Sequence, residues 1–220
     1  MAPQRNLESV MLHASTADLL SLCRTSRLIS NIATSLLYHT VSLFAAAKMN
    51  SFLLTMKQRS ESSALLSRYV RQFSIHEGPD LELSQALIED ITCVLSELEH
   101  LESLNLVSII QVEPIEFMDL LHHAHFPNLL SFGLTVQPQT LSLLPFFLNR
   151  HQTMTDLSLI PVAHLDSEPL DPILLLNLKE YFGPSSFTSS FDLTSGSVSQ
   201  VSLLWRPGDL LETPFPISAK

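Results

Sequence analysis

The chain has 220 residues, of which 45% are hydrophobic and 15% are charged, and its mean hydropathy is +0.24. This composition excludes a disordered chain and is sufficient for one sizeable domain, or for a small domain followed by a larger one. The formal net charge of −10 argues against nucleic-acid binding, because an acidic surface repels the phosphate backbone.

The termini and cysteines predict a protein of the cell interior. Residues 1–15 lack the apolar core of a signal peptide, and the longest apolar runs, such as residues 141–148, are far shorter than the ~20 residues that span a bilayer. We therefore expect no membrane partner and a location in the cytoplasm, the nucleus or both. Cys23 and Cys93 lie in apolar helical patterns, which predicts buried free thiols and no disulfide.

The first 43 residues predict three short helices and a strand. Ser15 or Thr16 is the predicted N-cap of the second helix, with Asp18 in its first turn. The alternating segment 38–44 predicts an edge strand with Val41 and Leu43 facing inward. The apolar faces of the three helices are predicted to comprise Leu7, Val10 and Met11, then Leu19, Leu20, Leu22 and Cys23, then Leu28, Ile29 and Ile32. Three such short helices form only a marginal core, which favours docking on a partner or on the next domain.

A helix connecting this module to the rest of the chain is predicted over residues 46–66, with a flexible polar end at 57–63. From residue 70 a pattern recurs six times: apolar, two spacers, apolar, a small or polar residue, apolar. We call the middle apolar residue of each copy the marker residue. The markers are Phe73, Leu104, Phe132, Leu157, Tyr181 and Val201.

The spacing of the markers indicates leucine-rich repeats. The intervals are 31, 28, 25, 24 and 20 residues, in or near the range of ~20–29 residues for that repeat class. Each copy ends in two apolar residues separated by one, which predicts a short strand with alternate side chains inward. The fifth copy, residues 178–183, is degenerate because it ends in glycine.

The segments between the strands predict helices. Residues 81–100 place Leu83, Leu87, Ile91, Val94, Leu95 and Leu98 on one face and Glu82, Glu89, Asp90 and Glu97 on the other. Further helices are predicted in 114–126, starting at Pro114, in 138–150, where Pro145 kinks or restarts the helix, and in 171–178. Strand–helix–strand units predict an α/β fold: a curved, irregular solenoid with parallel strands on the concave face and helices outside.

The tail after the last strand is rich in proline. Two alternatives stay open at this point: Trp205, Leu210 and Leu211 fold back as a minimal cap, or the chain is a shortened member of its family. Trp205 with Arg206 could also form a recognition spot, although a Trp that plugs the end of the core is the favoured interpretation.

Residues 2–43 resemble an F-box, in the form common in fungal proteins that combine it with irregular leucine-rich repeats. Residues 15–43, STADLLSLCRTSRLISNIATSLLYHTVSL, match the family's Ser/Pro-x-x-Asp-Leu-Leu-x-Leu segment and its Leu-Tyr-x-x-Val-x-Leu tail. The family's opening Leu-Pro-x-Glu element is represented only by Pro3, because Ala2 and Arg5 stand where Leu and Glu are usual.

The resemblance implies a substrate-recruiting adaptor of a cullin-type (SCF-like) ubiquitin ligase. Residues 1–45 would be the F-box-like module, 46–66 the connecting helix, 67–207 the leucine-rich-repeat-like solenoid and 208–220 the tail. The solenoid would recruit an unknown target protein. The residues implied to bind the Skp-type linker are Pro3, Leu7, Met11, Leu19, Leu20, Leu28 and Ile29.

For each of these residues, burial in the three-helix core is the open alternative. The second interpretation of the whole chain is a non-ligase interaction scaffold, whose degenerate F-box packs only on its own repeats. The adaptor predicts exposed apolar surface around Leu7, Met11 and Leu20, whereas the scaffold predicts that these helices are fully buried.

No enzymatic function, cofactor or metal is expected. The phosphate-binding and nucleophile motifs GxxxxGK[ST], GxGxxG and GxSxG are missing, and Ser195 has no His or acid in a recognisable frame. The strongest metal candidate is His122, His123 and His125 with Glu116 and Asp119. The favoured interpretation of the histidines is the end of a helix, because a helix C-terminus stabilises positive charge.

Overall fold

The structure is a computed structural model that describes residues 2–57, 66–76, 84–107, 121–162, 171–191 and 198–204. Within these ranges the helices are α1 (Ala2–Met11), α2 (Thr16–Leu22), α3 (Arg27–His39), α4 (Ala46–Lys57), α5 (Gln85–Ser96) and α6 (Leu144–Arg150). The strands are β1 (Thr40–Leu43), β2 (Gln72–Ile75), β3 (Ser103–Leu106), β4 (Ser131–Val136), β5 (Asp156–Pro161), β6 (Glu180–Pro184) and β7 (Gln200–Leu204). None of the described helices is long and apolar enough to cross a membrane.

The seven described strands form one sheet in chain order, and every neighbouring pair is parallel. The predicted α/β class and the six predicted strands are confirmed, and β1 forms the predicted strand at the edge. The register aligns the marker residues with one another, and Val41 of β1 lies at the start of the same row. That row runs Val41, Phe73, Leu104, Phe132, Leu157, Tyr181 and Val201.

A forked backbone hydrogen bond fixes this register. The carbonyl oxygen two residues before each marker accepts two N–H groups from the next strand segment. The Arg71 carbonyl accepts from Glu102 and Ser103 at 2.7 and 2.9 Å, and the Thr155 carbonyl accepts from Lys179 and Glu180 at 2.7 and 3.0 Å. The same fork occurs at Glu102, Leu130 and Lys179. Five forks of one geometry show that the repeats are structurally equivalent at this point.

The main core lies under one face of the sheet, where α4, α5 and α6 cover the inward side chains of the strands. The connecting helix α4 is part of this core, because Met49, Phe52, Leu53 and Met56 are buried in it. An ion pair from Lys57 to Asp90 joins α4 to α5. Residues 58–65, which include most of the predicted flexible end, lie outside the described residues.

Helix α5 confirms most of its predicted pattern. Its predicted core residues Leu87, Ile91, Val94 and Leu95, and Leu98 just after it, are buried, while Glu89 and Glu97 are exposed. Leu83 and Glu82 lie outside the described residues. The prediction of buried thiols was wrong: both cysteines are free, but Cys93 is exposed and Cys23 is half-buried. Cys93 lies beside the buried stripe of α5, on its solvent side.

Two proline-containing segments have different outcomes. Pro145 lies at the restart of a helix. The 3-10 helix Pro138–Thr140 ends before it, and α6 begins at Leu144, so Pro145 is in the first turn, where its missing N–H breaks no intrahelical hydrogen bond. The helix predicted over 171–178 was wrong. There Ile173 and Leu175 are buried and Leu174 and Leu176 are exposed, which is the alternation of an extended chain.

A side chain of α6 holds the extended segment in place. Asn149 Oδ1 accepts the Leu174 N–H at 2.6 Å, and its Nδ2 donates to the Pro172 carbonyl at 3.1 Å. These two bonds satisfy backbone groups that a helix would have paired internally.

The glycine of the degenerate fifth copy has a steric role. Gly183 occupies an inward position, and the Tyr181 ring lies over it with Oη donating to the Pro184 carbonyl at 2.9 Å. A Cβ at Gly183 would lie 2.5 Å from Tyr181 Oη. The strand therefore tolerates no side chain here without moving the tyrosine.

His151 is a buried polar group in the main core. Counted back six residues from the marker, it occupies the position of Leu98, Phe126 and Leu175 in three other repeats, whereas the first and last repeats have Ser67 and Ser195 there. Its Nδ1 lies 2.7 Å from the Phe147 carbonyl, and its Nε2 accepts the Phe126 N–H at 2.9 Å. The ring is therefore neutral with the proton on Nδ1. Burial lowers the pKa of His151 from 6.5 to about 4.

The low pKa of His151 predicts acid sensitivity of the fold. Because the unfolded chain takes up this proton first, its contribution to stability is complete above pH 6.5 and is lost as the pH falls towards 4. From pH 7 to pH 5, this group should lower the free energy of unfolding by about 2 kcal/mol, measured by urea denaturation.

The variant His151→Gln, which keeps a donor and an acceptor but does not titrate, should remove that part of the pH dependence. His39→Gln, at an exposed histidine, is the matched control and should keep it. An unchanged pH dependence in His151→Gln would contradict the assignment.

Candidate functional site: helical surface and sheet face

The N-terminal helices have a small hydrophobic core of their own. Its buried members are Met11, Leu19, Ile32 and Ala33, and they form a cluster separate from the main core. The predicted cap of α2 is confirmed at Ser15, whose Oγ accepts the Asp18 N–H at 3.2 Å while the Asp18 carboxylate accepts both the N–H and the hydroxyl of Ser15. These hydrogen bonds lower the pKa of Asp18.

The seven predicted linker-binding residues divide into two groups. Leu7, Leu20 and Leu28 are exposed, and Leu20 and Leu28 expose 56% and 49% of their surface. Met11 and Leu19 are buried in the helical core, and Ile29 packs against it half-buried. Pro3 belongs to α1, but its side chain lies outside the described residues.

The structure corrects two predictions about these helices. Met11 was expected on an exposed patch, but it is only 5% exposed, because it contributes to the helical core. Leu20 was expected on the core face of α2, but Leu19 and Leu22 occupy that face and Leu20 points away from it. One residue along a helix turns by about 100°, which is enough to separate neighbours in this way.

Two further apolar residues of this module are exposed. Val10 is exposed on α1, and Leu12 is exposed in the turn directly after it, a position that a helical pattern cannot assign. We define the helical surface as the exposed apolar residues of these helices and the turn: Leu7, Val10, Leu12, Leu20 and Leu28.

The second candidate site lies on the sheet face opposite the main core. Side chains one residue before and one residue after each marker point outward there, and those of β3 to β7 line a groove of about 250 Å³, which we call the sheet groove. Its outward lining is Ser103, Asn105, Ser131, Gly133, Asp156, Ser158, Glu180, Phe182, Gln200 and Ser202. Small and polar side chains therefore line the groove, with Phe182 as its exposed aromatic ring.

The sheet groove is negatively charged. Asp156 and Glu180 face each other across β5 and β6, and the lining residues include no Lys or Arg. The Thr155 hydroxyl donates to Asp156 Oδ2 at 2.5 Å. Like charges directly opposite one another on a sheet are destabilising, so this pair is more favourable when a cation or a donor group lies between the carboxylates.

Gly133, at the floor of the sheet groove, leaves room for the side chains of Asn105 and Val107. A Cβ at this position would lie 3.0 Å from Asn105 Oδ1 and from a methyl group of Val107. Asn105 Oδ1 accepts the Val107 N–H at 3.0 Å, so the amide is held where it overlies the glycine. Individual groove residues could not be named from the sequence, because the register of each repeat was uncertain.

A serine–histidine contact lies outside the groove lining, on β1 and β2. Ser74 Oγ is 2.9 Å from Ser42 Oγ and 3.0 Å from His76 Nε2, and the His76 ring stacks on Phe44 with centroids 4.4 Å apart. A hydroxyl beside an imidazole is the first element of a nucleophile–base pair. Here the hydroxyl is shared within a polar row along two strands, so we interpret the contact as sheet packing.

The histidines of the metal candidate lie at the end of a short helical stretch, residues 121–123. His122, His123 and His125 are exposed, and the rings of the first two meet edge to face with centroids 4.8 Å apart. Over the described ranges, no group of three or more His, Cys, Asp or Glu could hold a metal ion. Glu116, Asp119 and Pro114 lie outside those ranges, as do Ser195, Trp205 and Arg206.

No protein-family model matches the chain, and no curated protein matches it.

The contrast between Met11 and Leu20 yields a stability prediction. Met11→Ala should lower the free energy of unfolding of the N-terminal helices by about 2–5 kcal/mol, because it leaves a cavity in a small core. Leu20→Ala should change it by less than about 0.5 kcal/mol. Hydrogen exchange of amides in α2 and α3 measures both. Equal losses of protection in the two variants would mean that Leu20 is also a core residue.

Proposed function

We propose that this protein is a non-enzymatic, intracellular adaptor of a cullin-type ubiquitin ligase, needing no cofactor. In this proposal the N-terminal helices bind a Skp-type linker protein. The sheet and its helices are the wall of a leucine-rich-repeat-like solenoid, and the sheet groove receives a target protein. The observation that carries the proposal is the apolar helical surface.

The helical surface supports the proposal energetically. Leu20 and Leu28 each keep about half of their surface in water, and Leu7, Val10 and Leu12 are also exposed. Burying a leucine side chain contributes about 1.5–3 kcal/mol. In the proposed complex, the burial of several such residues of one small module would provide the binding energy of the interface.

The small core of the helices supports the same conclusion. Among the described side chains of these three short helices, four are buried and six partly buried ones pack against them, which is a small core, so binding a partner would also stabilise the module. The module is joined to the sheet without a linker, because α3 ends at His39 and β1 begins at Thr40. A partner on the helices would thus be held at a fixed position relative to the sheet.

The sheet groove supports a role in target recruitment. Parallel strands in chain order, with the described helices on the opposite face, leave a row of outward side chains free for a ligand. The charge of Asp156 and Glu180 favours a target segment that carries Lys or Arg. Serine hydroxyls along the same strands can bond to the backbone of such a segment.

The alternative is an interaction scaffold that does not join a ligase. Two of the predicted linker-binding residues, Met11 and Leu19, are buried within their own module, and this favours the scaffold. The two alternatives differ in one measurable property, which is binding to a Skp-type linker.

The first experiment measures that binding by co-purification and isothermal titration calorimetry. The wild-type chain should form a stoichiometric complex with a Skp-type linker. The double variant Leu20→Asp, Leu28→Asp should raise the Kd by at least about 100-fold, because two apolar contacts are lost and two charges would be buried.

Phe146→Asp is the matched control. Phe146 is as exposed as Leu20, at 56%, but it lies on α6. Circular dichroism should show that all three proteins are folded. A well-folded wild type that binds no linker would contradict the adaptor proposal and support the scaffold alternative. If Phe146→Asp weakens linker binding as much as the double variant does, the helical surface is not the contact.

A second experiment addresses the sheet groove. The double variant Asp156→Lys, Glu180→Lys should co-purify with less than half of the target proteins that the wild type retains. The two lysines would repel a cationic segment of the target from the groove. Linker binding should be unchanged. Quantitative mass spectrometry of the co-purified proteins measures the loss.

Glu89→Lys, Glu97→Lys is the control for this experiment. It makes the same change in net charge on exposed residues of α5 and directly after it, on the core side of the sheet. The groove hypothesis is rejected when both variants lose the same proteins, or when neither does.

A further inference from the structure

Facing side chains bond to one another at the β1 end of the outward sheet face. Thr40 Oγ1 donates to Gln72 Oε1 at 3.1 Å, and the hydroxyl oxygens of Ser42 and Ser74 are 2.9 Å apart. The polar groups of these two strands are therefore satisfied within the sheet, and a ligand would gain little by binding there.

At the β5 to β7 end of the same face, the polar groups of the sheet groove are not satisfied in this way. Asp156 accepts the Thr155 hydroxyl through Oδ2, and this bond orients the carboxylate, while Oδ1 accepts no hydrogen bond from a described residue. Within the described ranges, four further side chains of the lining make no hydrogen bond or ion pair: Ser158, Glu180, Gln200 and Ser202. The part of the groove with unused donors and acceptors thus lies at β5 to β7.

Two carboxylates stand side by side in this part of the groove. Asp156 and Glu180 are register partners on β5 and β6, and neighbouring strands are about 4.8 Å apart. The basic residue next to them in sequence, Lys179, is exposed, lies outside the groove lining and forms no ion pair with any described residue. Neither carboxylate is therefore neutralised by the described part of the chain, and a bound cation would relieve the repulsion between them.

An aromatic ring lies beside the carboxylates. Phe182 follows Glu180 by two residues, so it is on the same face of β6, about 6.6 Å further along the strand. Its register partners on the two neighbouring strands are Ser158 and Ser202, whose small side chains leave Phe182 38% exposed. The accessible ring adds an attractive site for a cation that the two carboxylates hold.

We propose that the sheet groove binds an arginine side chain of an extended segment of the target, with Asp156 and Glu180 pairing with the guanidinium group and Phe182 stacking on it. The inference deepens the target-recruiting role of the groove in the proposed function and rests on it. A guanidinium group has five N–H donors in one plane, so it can donate to two neighbouring carboxylates while its face lies on a ring. The compact ammonium group of lysine pairs with carboxylates but has no planar face.

The rest of the groove suits the backbone on either side of that arginine. Towards β3 and β4 the lining is small, with Ser103, Ser131 and Gly133, so a main chain can approach the sheet closely. On the other side of the carboxylates, Gln200 and Ser202 of β7 offer hydrogen-bonding groups. A segment that crosses the strands in extended form would therefore bring its arginine to β5 and β6 with polar contacts on both sides.

NMR titration of the isotope-labelled full-length chain with three peptides tests the proposal. The probe is acetyl-Gly-Ser-Arg-Ser-Gly-amide, and the other two peptides have lysine or citrulline, the neutral isostere of arginine, at the central position. The amide signals of Asp156, Glu180 and Phe182 should shift and saturate. The arginine peptide should bind about fivefold more tightly than the lysine peptide and at least about tenfold more tightly than the citrulline peptide.

Two variants separate stacking from charge. Phe182→Leu should weaken the arginine peptide about fivefold and leave the lysine peptide nearly unchanged, so that the preference disappears. The double variant Asp156→Asn, Glu180→Gln, which keeps the size of both side chains, should weaken both cationic peptides at least about tenfold. Circular dichroism should show that every variant is folded.

Phe44→Leu is the matched control. Phe44 is an exposed phenylalanine directly after β1 and outside the groove lining, so its substitution should leave the affinities of all three peptides unchanged. An equal effect of Phe44→Leu and Phe182→Leu on the arginine peptide would contradict stacking in the groove.

Two further results would overturn the inference without deciding the proposed function. Equal affinity for the arginine and lysine peptides would leave recruitment by charge intact, and so would saturable shifts confined to other strands. If a folded wild type binds none of the peptides, the inference is wrong, and the co-purified proteins still decide target recruitment at the groove. An arginine preference in a chain that binds no Skp-type linker would support the inference and contradict the ligase role.

Discussion

The forked hydrogen bond before each of the strands β3 to β7 is the constraint on which the structure depends. It places every marker residue beside the next one, so that one row of side chains runs from β2 to β7. At the same position a single bond from the Arg71 N–H to the His39 carbonyl joins β2 to β1. Because side chains alternate along a strand, a slip of one residue would bury the serines and expose the markers. The core and the groove on the opposite face both follow from this single register.

The shrinking intervals between the strands explain how the core is covered along the chain. The early intervals accommodate the 12-residue helices α4 and α5, and a later one accommodates the 7-residue α6 after a turn of 3-10 helix. After β5 the described cover is the extended segment held by Asn149, and after β6 it is the 3-10 helix Ser185–Ser190. The cover thus becomes thinner towards β7, where aromatic contacts such as Tyr181–Phe191 replace helix packing.

The strands, the Ser15 cap and the inward residues could be predicted from the sequence, because alternation and capping are local properties. The wrong predictions concern which side chains are covered by other parts of the chain, because that depends on contacts remote in sequence. The run Ile173 to Leu176 has no period that distinguishes helix from strand. Its extended state is held by bonds from Asn149 and from the Ile173 N–H to the Ser190 carbonyl, and both partners are remote in sequence. The few apolar residues on each of the short helices α1 and α2 could not reveal that Met11 is buried while Leu20 is exposed. Alignment of the repeats could have singled out His151, which stands where three of the other copies have Leu or Phe.

The two candidate surfaces differ in chemistry as the proposed role requires. The helical surface is apolar, and surfaces of that kind are typical of partners that stay assembled, whereas the sheet groove is polar and charged, as in interfaces that exchange partners. The two cores are separate clusters, so changes in one surface need not disturb the packing under the other. The chain nevertheless links the two cores directly through α3 and β1, because Tyr38, one residue before the end of α3, packs against the main core. Under the proposed function, this junction would hold the target at a fixed distance from the ligase, which flexible attachment could not do.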